Sequence, residues 1–173
     1  YGGQLVVDYL FSLGHTKIAF LTSGYTTAEV YRQQGYTTGL THRGVPPDDQ
    51  LVLTQSEEGW HRGGFPELSR LLQQPDRPTA LFASNDFKAL QVLRVLRKNN
   101  ISVPEDISLV GYDDIEAASI VTPALTTVHQ PVDKMIDIGA QILLKKINGE
   151  QDETEQIVMK PWLVERESTR KQL

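Results

Sequence analysis

Ile107-Ser108-Leu109-Val110-Gly111-Tyr112-Asp113-Asp114 decides how the rest of the chain is read. Residues 107–110 are short and largely apolar, with little polar alternation, the pattern of a buried strand. Gly111 permits a close turn at the strand's end, and two carboxylates follow at once. In a parallel α/β sheet, ligands sit at the carboxyl ends of the strands. Asp113 and Asp114 are therefore candidate ligand contacts. The pair also suits the start of a helix, because Asp caps N-termini well, and on this stretch alone the cap is the slightly better account.

Upstream, the same arrangement repeats. Residues 79–84 read as a strand, and Asn85-Asp86 opens a helix carrying Leu90, Leu93, Val95 and Leu96. Residues 2–13 space Leu5, Val6, Tyr9, Leu10 and Leu13 as a helix that Gly14 ends. Residues 18–22 are the first buried strand, and 23–27 are rich in turn formers. A helix from about 28 to 43 contains Gly35 and Gly39, one turn apart, which implies close packing on a neighbour; Gly44, Pro46 and Pro47 end it. Residues 51–54 form a strand, 55–60 a loop, and Phe65, Leu68, Leu71 and Leu72 a helix with Pro66 in its first turn.

Strands thus alternate with helices to residue 114, the signature of βαβ units and a mostly parallel sheet. Beyond Pro123, residues 125–130 read as a strand, followed by a helix with Met135, Ile138, Ile142, Leu143 and Ile147 that runs to Gly149. The polar run 151–155 reads as solvated. Residues 157–159 and 162–164 read as the final strands before a charged tail.

The 173 residues suffice for one domain with a sizeable core. With no cysteine, disulfides, thiol nucleophiles and zinc–thiolate sites are excluded. No run approaches the ~18 apolar residues of a membrane span. A net charge of -5 without a basic run does not advertise a nucleic-acid surface of the chain's own. The first residue is Tyr, so the chain is expected to be cut from a longer protein.

Each loop at a strand's carboxyl end carries ligand chemistry. Tyr25 and its hydroxyl-rich loop lead to Arg32; Glu57-Glu58-Gly59-Trp60, Asn85-Asp86 and Asp113 follow the later strands. Right-handed crossovers bring these loops to one edge. Carboxylate and guanidinium bind vicinal hydroxyls bidentately, and an indole stacks on an apolar face, which suits a polyhydroxylated or heterocyclic small molecule. Each residue also has a plainer account. Arg32 as an exposed helix arginine is the favoured one from sequence alone; Asn85 or Asp86 suits an N-cap, and Trp60 a loop anchor. His15, His42, His61 and His129 lack metal-ligand spacing and read as solvated or satisfied. No Ser-His-Asp set, Walker loop or GxGxxG is present, and Gly2-Gly3 and Gly63-Gly64 are not phosphate loops. A phospho-acceptor reading of Asp113-Asp114 lacks partner carboxylates at the end of the first strand.

Several stretches together resemble the lactose/galactose-repressor (LacI/GalR) family of transcription regulators. They include Leu13-Gly14-His15, Ile18-Ala19-Phe20, Arg32 with Gly35-Tyr36, Arg77-Pro78-Thr79-Ala80-Leu81-Phe82-Ala83 and Asn85-Asp86. Val103-Pro104-Glu105-Asp106-Ile107-Ser108, Val110-Gly111-Tyr112-Asp113-Asp114, residues 122–131 and Leu163-Val164-Glu165-Arg166-Glu167-Ser168 continue in the family's order. The resemblance implies a type I periplasmic-binding-protein-like α/β fold of two lobes with a ligand cleft between them. Residues 1–122 and 156–173 would form most of the C-terminal lobe. Residues 123–155 would cross into the N-terminal lobe, whose remainder, with a helix-turn-helix, would lie upstream. Carried over by position, Arg32, Asn85 and Asp113 are the expected polar effector contacts, with Gln130 on the crossing strand. Trp60 is the expected aromatic contact. Leu90 and Val121 are the expected homodimer contacts, with Leu93 more suited to the core.

The implied function is that of a cytoplasmic sensor without catalysis, cofactor or metal. It would bind a small effector, a sugar or sugar derivative, and change operator affinity through the upstream DNA-binding module. Two other readings stand beside it: a periplasmic sugar-binding protein of a transporter, and a doubly wound enzyme using Asp113 as base.

Overall fold

The computed structural model describes residues 1–62, 65–149 and 156–172. Gly63-Gly64 and the run 151–155 lie outside the described residues, as does the side chain of His61.

Three short runs build the first half of the sheet: β1 (Ile18–Thr22), β2 (Val52–Thr54) and β3 (Ala80–Ala83). The opening stretch supplies β4 (Ser108–Val110). The order is β2-β1-β3-β4, all parallel, with Phe20 opposite both Val52 and Phe82. Residues of β1 and β3 alternate between two cores, as the two-residue period of a strand requires. Ala19, Leu21, Leu81 and Ala83 join one; Ile18, Phe20, Ala80 and Phe82 join the other. Both faces of the sheet are therefore covered, which is why these strands carry almost no polar residues.

Helices α1 (Gly2–Ser12) and α2 (Thr27–His42) supply one layer through Val6, Leu10, Tyr36 and Leu40. Tyr36 stacks on Phe20 with ring centroids 5.3 Å apart. The glycines explain the closeness of this pair of helices: a Cβ on Gly3 would lie 2.2 Å from the Arg32 carbonyl oxygen, and one on Gly39 2.8 Å from Val7 Cβ. Thr26 caps α2 by accepting from the Glu29 N–H at 3.2 Å. The opposite layer comes from α3 (Glu57–Arg62), α4 (Pro66–Leu72) and α5 (Asp86–Lys98). Helix α3 occupies the stretch expected to be loop. It puts Trp60 on the inward face of a short turn of helix, where burial against Phe65 outweighs the poor helix propensity of Gly59.

After α6 (Glu116–Ile120), β5 (Thr127–His129) runs beside the end of β4 through bridges Val110–Thr126 and Asp113–His129. It pairs antiparallel with β6 (Trp162–Val164). Leu125 and Val128 are wholly buried in the two cores, so the chain stays packed on this body as far as β5. The departure comes with α7 (Val132–Ile147), which has no buried residue and exposes Met135, Ile136, Leu143 and Leu144. The strand expected at 157–159 is not formed. Those residues find no partner strand among the described residues, and Val158 is exposed.

His15 is buried and satisfied: Nδ1 is 3.0 Å from Thr79 Oγ1, and Nε2 faces Ser108 Oγ and the Arg170 carbonyl.

Candidate functional site

The carboxyl ends of β1, β3 and β4 meet at one edge of the sheet, and the first turns of α2 and α5 close over it. Arg32 projects from the glycine-containing helix α2. Its Nη2 donates to Asp113 Oδ1 at 2.8 Å and its Nη1 to the Ser84 carbonyl at 2.6 Å, while the guanidinium lies 3.8 Å from the centre of the Tyr112 ring. Only 12% of the side chain is exposed, so the exposed-arginine account does not hold.

Asp113 also accepts from Gln130 Nε2 at 2.7 Å. Burial pushes its carboxyl above the ordinary value, with the charge and hydrogen bond of Arg32 pulling back. Asp113 sits at φ 111 and Asp114 at φ 56, conformations uncommon for a side-chain-bearing residue. Neither caps the following helix. The carboxylate that receives the turn's backbone is Asp86, whose Oδ2 accepts the Ile115 N–H at 3.0 Å and whose Oδ1 accepts Thr127 Oγ1 at 2.6 Å.

Asn85 does what the plainer account says: it is the N-cap of α5, Oδ1 accepting the Lys88 N–H at 2.9 Å. It also lines a recess of about 460 Å³ with Thr26, Glu29, Arg32, Lys88 and Asp113. A neighbouring recess of about 390 Å³ is bounded by Arg32, Tyr112 and Gln130. Arg32, Asn85, Asp113 and Gln130 are thus brought together.

Trp60 is not. It is 1% exposed and packs edge-to-face on Phe65 at 4.8 Å. The expectation that it lines the cleft is corrected by α3, which turns the indole into the core. Its Nε1 has no partner among the described residues.

The residues missed from sequence are Glu29 and Lys88. Their side chains, 3% exposed each, form an ion pair of 2.9 Å. The Thr26-Thr27-Ala28-Glu29 spacing is that of a capping box, and it signals a structured Glu29. Lys88 carries no such mark.

Asp114 faces the other way. Its Oδ1 accepts from Arg166 Nη2 at 2.6 Å and its Oδ2 lies 2.8 Å from His129 Nδ1. Burial raises its carboxyl, but these two partners outweigh that and hold it below the ordinary value. Among the described residues no cluster of side chains is suited to a metal ion.

Residues 7–169 match the family described as the periplasmic binding protein-like domain. The ribose operon repressor of Escherichia coli is 37% identical over 168 residues, covering 96% of this chain and 50% of the repressor. The HTH-type transcriptional repressor PurR of Vibrio atlanticus is 35% identical over 170 residues, covering 98% of this chain and 50% of the relative. A LacI family transcriptional regulator from Enterococcus faecium, solved with bound ribose, superposes with a TM-score of 0.87 at 29% identity, covering 99% of this chain and 63% of that one. The chain spans about half the length of the curated relatives it matches.

Proposed function

Because this chain belongs to the periplasmic binding protein-like domain family, among its LacI-type members, we propose that it is the effector-sensing part of a DNA-binding transcription regulator. The carrying observation is the Arg32–Asp113 pair, 81 residues apart in sequence and met at the sheet's carboxyl edge beside Asn85. Fixed donors and acceptors of this kind replace water around the hydroxyls of a sugar.

Asp113 and Arg32 hold adjacent hydroxyls, Asn85 adds an amide, and Gln130 reaches the same carboxylate from the segment leading to α7. A second lobe, built by the part of the relatives' length not covered here, closes over the ligand. The effector changes operator affinity only by binding the open and closed arrangements unequally, a coupling of about 1–3 kcal/mol. The relatives' names as repressors support a sensor over both an enzyme and a transporter's binding protein. A parent protein that acts on operator DNA works in the cytoplasm. No described helix is long and apolar enough to cross a membrane.

Leu90 and Val121 border a shallow groove with Arg94 and Arg97, and we assign this face to a homodimer. Leu93, buried on the inner side of α5, belongs to the core.

The test titrates ribose and other monosaccharides into the complete parent protein while following operator binding. A sugar that shifts operator affinity, with the shift abolished by Asp113→Asn, is the expected result. Sugar binding with no effect on DNA would return the chain to the transporter reading.

A further inference from the structure

The floor of the cleft carries a second ion pair that contributes nothing to the sugar contacts described above. Ser84 Oγ (2.6 Å) and the Ser23 N–H (3.2 Å) donate to the Glu29 oxygen that also faces Lys88. Ser23 Oγ (2.7 Å) and Thr26 Oγ1 (3.3 Å) donate to the other. Burial opposes ionisation of Glu29, yet these donors and Lys88 outweigh it and keep the carboxylate charged.

Charge around the recess is matched cation for anion. Arg32 faces Asp113 and Lys88 faces Glu29, while outside the recess Arg166 likewise faces Asp114. Behind them Asp86 is wholly buried, and its hydrogen-bond partners are a hydroxyl and a backbone N–H. Among the residues that line this recess, an incoming phosphate or carboxylate therefore meets no cation that lacks its own carboxylate. Its charge would be taken out of water without compensation, which is costly in a buried site. A neutral polyol asks only for hydrogen bonds.

We propose that Glu29 is a charge mask, withholding the Lys88 cation from the ligand so that the recess selects a neutral polyhydroxylated ligand over its phosphorylated or acidic counterpart. The mask rests on the sensing role proposed above and names its ligand class. Neutralising Glu29 alone exposes an uncompensated Lys88 cation to the ligand and reverses the preference. Neutralising both restores it.

The experiment uses the complete parent protein and matched probes: ribose with ribose 5-phosphate, and glucose with glucose 6-phosphate and glucuronate. Calorimetric affinities give the neutral-to-anionic ratio for wild type, Glu29→Gln, and the double variant Glu29→Gln with Lys88→Met. The expected ratio is at least tenfold in favour of the neutral member. It falls at least tenfold in Glu29→Gln and recovers in the double variant. If Glu29→Gln does not fold, Lys88→Met alone takes its place: it leaves Glu29 without its cation, the ratio rises at least threefold, and an unchanged ratio overturns the proposal. An anionic probe binding wild type as tightly as its neutral partner overturns the mask and leaves the sensing role standing. A ratio unchanged by folded Glu29→Gln overturns it equally. Binding of no probe, with operator affinity unmoved, overturns both.

Discussion

Asp113 and Asp114 are consecutive and both at positive φ, yet their carboxylates serve opposite sides of the strand end. Asp113 faces the cleft, accepting from Arg32 and Gln130; Asp114 faces the returning chain, accepting from Arg166 and pairing with His129. The ligand recess and the two chain segments next to α7 are thereby joined through one peptide unit.

Replacing Asp113 by Asn keeps a residue that tolerates positive φ and removes the charge facing Arg32. Sugar affinity should fall at least tenfold, since breaking a buried hydrogen-bonded charge pair costs about 2–5 kcal/mol. Titration calorimetry measures the loss, and an unchanged circular dichroism spectrum shows that the fold is retained. Unaltered affinity would remove Asp113 from the site.

Arg166→Leu leaves Asp114 without its stronger partner. A loss of about 1–3 kcal/mol is expected at pH 7. The folded-state value of Asp114 lies below its ordinary one, so the stabilisation is present above the unfolded value and disappears as pH falls through the folded one. In urea melts the gap between wild type and variant should therefore narrow in acid, to what the Arg166 Nη1 bond to the Leu125 carbonyl contributes. A constant gap would mean that Arg166 acts through that bond and its packing, not through Asp114.

Asp86 works in the opposite direction. Burial, reinforced by the charges of Asp113 and Asp114 and opposed by Thr127 and the Ile115 N–H, pushes its carboxyl up to about 6. The folded state then holds the proton more tightly than the unfolded chain, whose value is near 4. This contribution favours folding in mild acid and is lost as pH rises through about 6. Asp86→Asn should raise stability at pH 7.5 by about 1–3 kcal/mol, a tenfold difference in proton affinity between the two states being worth ~1.4 kcal/mol. It should also flatten the stability profile between pH 5 and 7. Lower stability of the variant at pH 7.5 would contradict this account.

Gly111 is required for lack of space. A Cβ there would lie 2.1 Å from Asp86 Oδ1 and 2.9 Å from Leu125 Cδ2, both in rigid surroundings. Gly111→Ala should cost about 1–3 kcal/mol through overpacking, measured as a lowered denaturant midpoint at constant slope.

Leu90→Glu tests the dimer face. Sedimentation of the parent protein should show monomers with sugar affinity retained. A dimer that persists would move the interface elsewhere.

Much of the fold was legible because its signals are local. The apolar runs at 18–22, 79–84 and 107–110, and the stops at Gly14 and Gly44, need only their neighbours to be read. Helix α3 was not legible: Glu57-Glu58-Gly59-Trp60 has loop composition, and burial of the indole, a tertiary event, makes it helical. The same event withdrew Trp60 from the cleft. Strand 157–159 failed for the complementary reason, β-forming residues without a partner strand among the described residues.

By itself, then, the sequence determined the alternation of strand and helix, the parallel sheet and the edge at which Arg32, Asn85 and Asp113 gather, because hydrophobic period and crossover handedness are properties of the chain. Tertiary structure alone decided which charges meet. Arg32 joined Asp113 instead of solvent, Glu29 joined Lys88 at the buried floor of the recess, and Asp114 turned away from the ligand edge toward Arg166. An ion pair is set by distance and burial in three dimensions, and neither is written in the spacing of residues far apart along the chain.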